Sequence, residues 1–173
     1  IGVVPQLVKA GIDPTSIEYM DNPNVRTTSE YLEFPGAPHV EDGIYVIITI
    51  ETFNEDELDM KTEQASDICE AAGAVDVLEA DERIWSMRRN CLESVSLISK
   101  VCTTDDVVVP VDEMSDMIQY IIKTVAKYPF PLRINAHIGD GNLHIVLCKL
   151  DLSDEEWEAE LSRFTEEVYT YAY

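Results

Sequence analysis

Runs of β-branched and aromatic residues along the chain predict strands. Gly43–Thr52, with the sequence GIYVIITIET, is too short for a membrane helix and predicts a central strand. Ala74–Ala80 and Asp105–Pro110 are similar runs, the second of them ended by its proline, and they predict two more strands. Stretches with helical periodicity separate these runs, so strands and helices are predicted to alternate.

Four stretches place apolar residues three and four positions apart, as an amphipathic helix does. Each stretch begins at a residue that favours the N-cap position: Asn54, Asp81, Asp112 and Ser153. Ser153 is followed three residues later by Glu156, which is the spacing of a capping box. We therefore predict four helices that start at these residues and pack apolar stripes against a sheet.

The amino-terminal part of the chain differs from the rest. Residues 1–42 are rich in Pro, Asn, Asp and Gly, and they predict a connector with short helical turns at Pro5–Ala10 and Ser16–Met20. Residues 43–173 predict the domain itself. The chain does not begin with Met, and Tyr173 lies within a predicted helix. We therefore expect a piece of a longer protein, in which this domain is truncated at its C-terminal end.

Residues 132–150 predict a hairpin with one apolar and one polar face. Along its first strand, apolar residues alternate with polar ones: Leu132, Ile134, Ala136 and Ile138 against Arg133, Asn135 and His137. Because a hairpin is antiparallel, the order of elements favours an α+β fold over a doubly wound parallel sheet. The expected architecture is an antiparallel sheet with helices packed mainly on one face.

Two of the three histidines lie in this hairpin, within the sequence NAHIGDGNLHIVLCKL. If the turn centres on Asp140 and Gly141, antiparallel pairing places His137 and His144 side by side on the polar face, about 5 Å apart at Cβ. That separation lets two imidazoles reach one metal ion, although at least one more ligand is needed. Spacing alone leaves two alternatives open, a metal site or two polar residues on a half-exposed sheet.

Arg88 stands four residues after Ile84 and four before Leu92, within the apolar stripe of its predicted helix. A guanidinium that faces the core needs an anionic partner or a water-filled site. One interpretation is a structural salt bridge with one of the many carboxylates. The other is bidentate capture of a substrate carboxylate.

Net charge narrows the choice of ligand. The chain has 34 acidic and 12 basic residues, a formal net charge of -22. Such a field repels phosphate backbones, which argues against nucleic-acid binding.

No apolar run reaches the roughly 20 residues of a transmembrane helix. The four cysteines, without a CxxC pair, predict small core residues in a reducing compartment. We therefore expect a cytoplasmic protein, in which any anion meets individually placed basic residues.

Four motifs together resemble the carboxy-terminal domain of FAD-linked oxidases, a group that includes the FAD-linked subunit of glycolate oxidase, D-lactate dehydrogenases and D-2-hydroxyglutarate dehydrogenase. They are HIGDGNLH at residues 137–144, WSMR at 85–88, DDVVVP at 105–110 and IEYMD at 17–21. The first is long and specific, and the order of all four fits nearly the whole chain. The resemblance implies a ferredoxin-like cap domain that packs on a preceding flavin domain of the same parent chain.

The resemblance also implies roles for four residues. His137 and His144 would bind a divalent metal, typically zinc, and Arg88 would pair with the substrate carboxylate. Asn142 would lie near the junction of flavin and substrate. The implied reaction is oxidation of a D-2-hydroxy acid to the 2-oxo acid, with FAD bound mainly by a domain absent here. An electron-transfer or iron–sulfur subunit is a further expected partner.

Departures from the family pattern limit what this chain can do alone. It lacks the glycine-rich flavin-binding segment and the G-E-H-G segment, which supplies a metal-ligating glutamate and a proposed base, so we expect the isolated fragment to be inactive. Thr104 and Val146 replace a lysine and an asparagine of some relatives. These differences favour a small acid such as lactate or glycolate. The alternatives are a non-catalytic assembly module with a vestigial metal hairpin and a free-standing metal-binding protein.

Overall fold

One five-stranded antiparallel sheet organises the chain. The computed structural model describes residues 2–173. The strands are β1 (Ser16–Met20), β2 (Tyr45–Thr49), β3 (Cys102–Val108), β4 (Leu132–His137) and β5 (Asn142–Cys148). Their spatial order is β2-β1-β4-β5-β3, and every neighbouring pair is antiparallel. The predicted α+β class is confirmed, and so is the predicted hairpin, which forms β4 and β5.

Seven α-helices accompany the sheet within residues 2–173. They are α1 (Val4–Lys9), α2 (Asn22–Tyr31), α3 (Glu55–Ala71), α4 (Glu82–Arg89), α5 (Cys91–Ser94), α6 (Met114–Val125) and α7 (Asp154–Ala172). In this described range, no helix combines the length and the apolar character needed to cross a membrane.

Side-chain caps start three of these helices as the sequence predicts. Asn54 accepts from two backbone N–H groups of α3, Asp81 does the same for α4, and Ser153 forms the predicted capping box with Glu156. The predicted cap at Asp112 is wrong. A 3₁₀ turn over Val111–Glu113 leads into α6, and no side chain caps that helix.

The apolar face of the hairpin carries the main core. Its residues have almost no exposed surface: Ile134, Ala136, Ile138, Leu143, Ile145 and Leu147. They pack with apolar side chains of α6 and α7, among them Met117, Ile121 and Phe164. Burial of each large side chain stabilises the fold by about 1.5–3 kcal/mol, so this layer fixes the position of the hairpin.

The opposite face of the sheet near β1 and β2 is covered by α2, α4 and α5, whereas α1 and α3 join the main core. Met20 and Ile47 from these strands pack with Val25 of α2, Met87 of α4 and Cys91 of α5. This second, smaller cluster places α4 directly over β1. It also leaves the polar side chains of β4 and β5 on the same side of the sheet as α4.

Two secondary-structure predictions name the wrong type of element. Ser16–Met20, predicted as a helical turn, is strand β1 between β2 and β4. Four of its five residues are buried, because apolar clusters cover both faces of the sheet there. Ala74–Ala80, predicted as a strand, has no regular structure. Val75 in that segment is 88% exposed. A strand needs a hydrogen-bonded neighbour, so β-propensity alone does not create one.

Other predictions are correct in type but wrong in position. Gly43–Thr52 contains β2, which lies at an edge of the sheet rather than at its centre. The helix predicted after Asp81 is interrupted at Asn90, and Leu92, expected on its apolar face, is 51% exposed. Among the cysteines, Cys102 is exposed at the start of β3, where an edge strand gives it no covering layer.

Candidate active site

The loop between β4 and β5 sets the register of the histidine hairpin. Residues 138–141 form the connection, and Gly141 adopts φ +78° there. A Cβ at that position would lie 2.1 Å from the carbonyl oxygen of Val109, so both the conformation and the space require glycine. His137 pairs with Asn142, and Asn135 pairs with His144.

The predicted direct pairing of the two histidines is therefore wrong, because the turn centres one residue earlier than expected. The partner of His137 shifts by two residues, from His144 to Asn142. A shift of two preserves the face of every side chain. The two imidazoles are consequently diagonal neighbours on the predicted face, with ring centroids 5.1 Å apart and ring planes at 86°.

A buried carboxylate holds the first histidine. Glu18 of β1 lies directly opposite His137 in the β1–β4 register. Each of its carboxylate oxygens is 2.9 Å from Nδ1 of His137. The glutamate side chain is only 10% exposed, whereas that of the histidine is 42% exposed. A buried carboxylate thus holds a partly exposed imidazole.

A second carboxylate holds the other histidine in the same manner. Asp106 of β3 lies directly opposite His144 in the β3–β5 register, and its Oδ1 is 2.5 Å from Nδ1 of His144. This aspartate is 62% exposed, because β3 is an edge strand. Each imidazole therefore uses Nδ1 for a carboxylate. Neither Nε2 has a hydrogen-bond partner within residues 2–173.

These two rings fit two positions of a metal site. Metal-binding histidines commonly donate one ring N–H to a carboxylate and ligate the metal through the other nitrogen. His137 and His144 have that arrangement on neighbouring strands. Over the described range 2–173, no third His, Cys, Asp or Glu completes a metal-binding group with them.

Arg88 faces the core side of α4, as its spacing predicts, and it meets the same buried glutamate. Its Nε lies 2.9 Å and its Nη2 lies 2.7 Å from Oε2 of Glu18. The arginine side chain is 12% exposed. The Nη2 contact is an ion pair without hydrogen-bond alignment, and Nη1 donates to no acceptor in the described part of the chain. Arg88 thus forms a salt bridge with Glu18, and its Nη1 still has N–H groups that can donate to a ligand.

Asn142 completes the polar group of side chains at this end of the sheet. It lies at the start of β5, opposite both His137 of β4 and Val108 of β3. Its Oδ1 is buried and has no hydrogen-bond partner among residues 2–173. A buried acceptor without a donor is unfavourable by about 1–3 kcal/mol, so this oxygen is suited to accept from a bound ligand.

Another buried carboxylate lies near the site but has a structural role. Asp21, directly after β1, accepts from the backbone N–H of Asn24 at 2.9 Å and of Ile134 at 2.7 Å. It thereby joins β1, α2 and β4. Burial raises the pKa of this carboxyl to about 6, although both backbone donors and Arg133 favour its anion.

Sequence reasoning brought His137, His144, Arg88 and Asn142 to one region but missed the carboxylates that hold them. Glu18 interrupts the apolar strand SIEYM, and a charged residue inside an apolar run was the available signal. Asp106 begins no helix and stands at the head of a β-branched run. Only the sheet register identifies both as direct neighbours of the histidines.

Comparison with known proteins agrees with this geometry. The family model described as "FAD linked oxidases, C-terminal domain" matches residues 1–173. A D-lactate dehydrogenase of Anaerostipes hadrus is 31% identical over 181 residues, which cover 99% of this chain and 38% of that protein. The glycolate oxidase subunit GlcD of Bacillus subtilis (strain 168) is 26% identical over 174 residues, covering 98% of the chain and 36% of the relative. The chain thus spans well under half of either relative.

Among solved structures, an alkyldihydroxyacetonephosphate synthase has the same fold with a TM-score of 0.60 and 14% sequence identity. The match covers 96% of this chain and 36% of that one. At this identity the likeness concerns the fold alone.

Proposed function

Because this chain belongs to the family of FAD-linked oxidase C-terminal domains, we propose that it is the substrate- and metal-binding cap of a flavoenzyme. The proposed reaction oxidises a D-2-hydroxy acid to the 2-oxo acid. The observation that carries the proposal is the pair His137 and His144, whose Nδ1 atoms are held by carboxylates while both Nε2 atoms are free. Arg88, a buried cation with free donors, contacts the same carboxylate as His137.

Arg88 is the proposed anchor for the substrate carboxylate. In a chain with a net charge of -22, an anion is repelled by the general field and needs a specific cation. Nη1 of Arg88 has no acceptor within residues 2–173, so it can donate to a carboxylate without breaking a protein hydrogen bond. Low exposure strengthens such a charge-assisted contact.

His137 and His144 are the proposed metal ligands, with zinc as the expected ion and a third ligand from outside the chain. A divalent metal held there would supply Lewis-acid chemistry that favours loss of the substrate hydroxyl proton. The contribution of this chain is geometric. Glu18 and Asp106 each accept from Nδ1 of a ring, which leaves Nε2 as the nitrogen available for ligation.

Asn142 is the proposed contact at the junction of substrate and flavin. Oxidation of a 2-hydroxy acid removes a hydride from Cα and a proton from the hydroxyl oxygen, and FAD, bound mainly by residues outside this chain, supplies the hydride acceptor. The unpartnered Oδ1 of Asn142 can accept a hydrogen bond there and orient the ligand. This role needs no charge on the side chain.

Two neighbouring residues support a small monocarboxylic substrate. Thr104 and Val146 are directly paired across β3 and β5, and Val146 is 1% exposed within an apolar cluster. Neither side chain carries a charge, so this pair provides no anchor for a second substrate carboxylate. Lactate and glycolate are therefore the preferred substrate types.

The proposed partners are the flavin-binding domain of the same parent chain and an electron-transfer or iron–sulfur subunit, in a cytoplasmic assembly. One relative is named as a subunit of glycolate oxidase. That name supports the proposal that this protein also assembles with other subunits. Purification of the complete protein together with its bound partners tests it.

The decisive experiment removes one imidazole at a time from the complete polypeptide that carries this chain. We expect His137→Ala and His144→Ala each to lower 2-hydroxy-acid oxidation by at least about 100-fold while FAD remains bound. His39→Ala is the matched control, because this third histidine lies on a loop, its side chain is 43% exposed, and its polar side-chain partner is Asp76, outside the hairpin. Activity is measured against a panel of D- and L-2-hydroxy acids, with metal analysis of each sample.

Undiminished turnover in both hairpin variants would contradict the metal role. A parent protein without FAD and without activity on any acid of the panel would favour the non-catalytic assembly module instead.

A further inference from the structure

We propose that Glu18 is a positioning residue that orients the candidate metal ligand His137 and the candidate substrate anchor Arg88 at the same time. The inference rests on the proposed function and deepens it. It assigns a role to a glutamate that touches neither the metal nor the substrate. Its basis is one carboxylate within 2.9 Å of both an imidazole and a guanidinium.

The position of Glu18 makes this double contact unusually constrained. It lies on β1, between β2 and β4, and α4 covers this face of the strand. Its side chain is 10% exposed. A buried carboxylate is strongly unfavourable unless cations or hydrogen-bond donors satisfy it. Arg88 and His137 are the side chains that do so here.

For His137, the contact selects a tautomer. A neutral imidazole carries its proton on one nitrogen and presents a lone pair on the other. A carboxylate can only accept, so a hydrogen bond from Nδ1 to Glu18 favours the neutral tautomer with its proton on Nδ1 and its lone pair on Nε2. Nε2 is then ready to ligate a metal without prior rearrangement of the ring.

For Arg88, the contact selects an orientation. The edge formed by Nε and Nη2 faces Oε2 of Glu18, and Nη1 remains without a protein acceptor in the described residues. An arginine side chain otherwise samples many rotamers, and ordering it on substrate binding would reduce affinity. Glu18 removes that cost before the substrate arrives. One carboxylate therefore fixes both the metal-facing nitrogen and the substrate-facing donors.

Asp106 provides an internal comparison. It also accepts from Nδ1 of a histidine, His144, but it is 62% exposed and makes no contact with Arg88. If the proposal is right, loss of the Asp106 carboxylate affects only the histidine. Loss of the Glu18 carboxylate affects the histidine and the arginine together.

The test uses the complete polypeptide with the variants Glu18→Gln, Glu18→Asp and Asp106→Asn, and Glu82→Gln as the control. Glu82 is an 80% exposed glutamate that pairs with Arg89 on the other side of α4. The first measurement is the ¹⁵N chemical shift of the metal-free histidines in alkaline buffer, where imidazole is neutral. We expect the Nδ1–H tautomer of His137 in wild type and its loss in Glu18→Gln.

The second and third measurements are the zinc dissociation constant and, at saturating zinc, the KM for the oxidised acid. Glu18→Gln should weaken zinc binding by about 10- to 100-fold and also raise KM by about tenfold or more. Asp106→Asn should weaken zinc binding by a similar factor but raise KM much less. Glu18→Asp, which keeps the charge but shortens the reach, should fall between Glu18→Gln and wild type. Glu82→Gln should match wild type.

Two results overturn the proposal and are distinct from failure of the proposed function. If Glu18→Gln lowers only the melting temperature, with tautomer, zinc affinity and KM as in wild type, Glu18 is merely structural. If it weakens zinc binding but changes KM no more than Asp106→Asn does, the link to Arg88 is wrong. A wild-type protein that binds no zinc and oxidises no 2-hydroxy acid instead overturns the proposed function, and this inference with it.

Discussion

The two histidines of the hairpin have the same kind of partner in very different surroundings. His137 is held by Glu18, whose side chain is 10% exposed, and His144 by Asp106, which is 62% exposed. Both carboxylates lie directly opposite their histidine on the flanking strand. The sheet thus repeats one local motif twice, once in its interior and once at its edge.

Position in the sheet explains the difference. β1 has a neighbour on each side and α4 above it, whereas β3 is an edge strand. An interior carboxylate has to be satisfied by the protein, and Arg88 does this for Glu18. An edge carboxylate is satisfied by water as well. We therefore expect the fold to depend strongly on the contact of Glu18 with His137 and weakly on the contact of Asp106 with His144.

The largest expected effect comes from removal of the interior carboxylate. Glu18→Ala leaves Arg88 buried without its partner, and loss of one member of a buried pair typically costs about 3–5 kcal/mol. We expect the free energy of unfolding to fall by that amount, measured by urea denaturation. The double variant Glu18→Ala/Arg88→Ala should be less destabilised than the sum of its single variants, since neither charge remains.

A loss of less than about 1 kcal/mol in Glu18→Ala would show that Arg88 finds solvent or another acceptor, and the distinction between interior and edge would disappear.

A third carboxylate sharpens the comparison, because Asp21 is buried with backbone donors in place of an ion pair. Its pKa is raised to about 6, mainly by burial, from an ordinary value of 3.8. A raised carboxyl pKa stabilises the fold fully below pH 4, and this contribution is lost as pH rises through 6. Relative to Asp21→Asn, the unfolding free energy of wild type should fall by about 2–2.5 kcal/mol between pH 4 and pH 7.

Chemical denaturation of both proteins at several pH values measures this difference and subtracts the effect of the other acidic residues, which the variants share. Parallel stability curves would contradict the prediction.

The sequence predicted the faces of the hairpin because side chains in a strand alternate with period two. Residues such as His137 and Ile134 therefore lie on opposite faces of β4 as expected, and the two-residue shift in pairing keeps His144 on the face of His137. The register itself depends on the conformation of residues 138–141, which periodicity does not encode. That is why both histidines were placed on the correct face while their cross-strand partners were assigned incorrectly.

The carboxylates were missed for a related reason. Glu18 lies in a strand of five residues between Pro14 and Pro23, a setting in which local signals favour a turn. Its burial follows from the long-range pairing of β1 with β2 and β4, which no local pattern contains. Arg88 shows the converse case. Helical spacing alone placed it on the core side, but only the fold identifies its partner.

The hairpin turn allows a test of whether both histidine contacts depend on one register. Gly141→Ala forces a left-handed conformation on alanine, which costs about 1–2 kcal/mol, and its Cβ would meet the Val109 carbonyl oxygen. We expect a loss of about 2 kcal/mol or more in thermal unfolding. Gly139→Ala is the matched control, since φ is not positive there and a Cβ would be 3.7 Å from its nearest neighbour. Equal losses in the two variants would refute this account of the turn.

The smallest expected effect belongs to the edge carboxylate. Asp106→Ala removes an ion pair whose aspartate is 62% exposed, and exposed pairs contribute only about 0–1 kcal/mol. We expect an unfolding free energy within about 1 kcal/mol of wild type, and a difference that shrinks further in 1 M salt, because screening is effective for exposed charges. The loss in Glu18→Ala should persist under the same conditions, since salt screens buried pairs far less. Asp106→Ala could instead lose as much stability as Glu18→Ala, with a loss that does not change with salt. Burial would then not explain the difference between the Glu18–His137 pair and the Asp106–His144 pair. The register alone would then determine how strongly each histidine depends on its carboxylate.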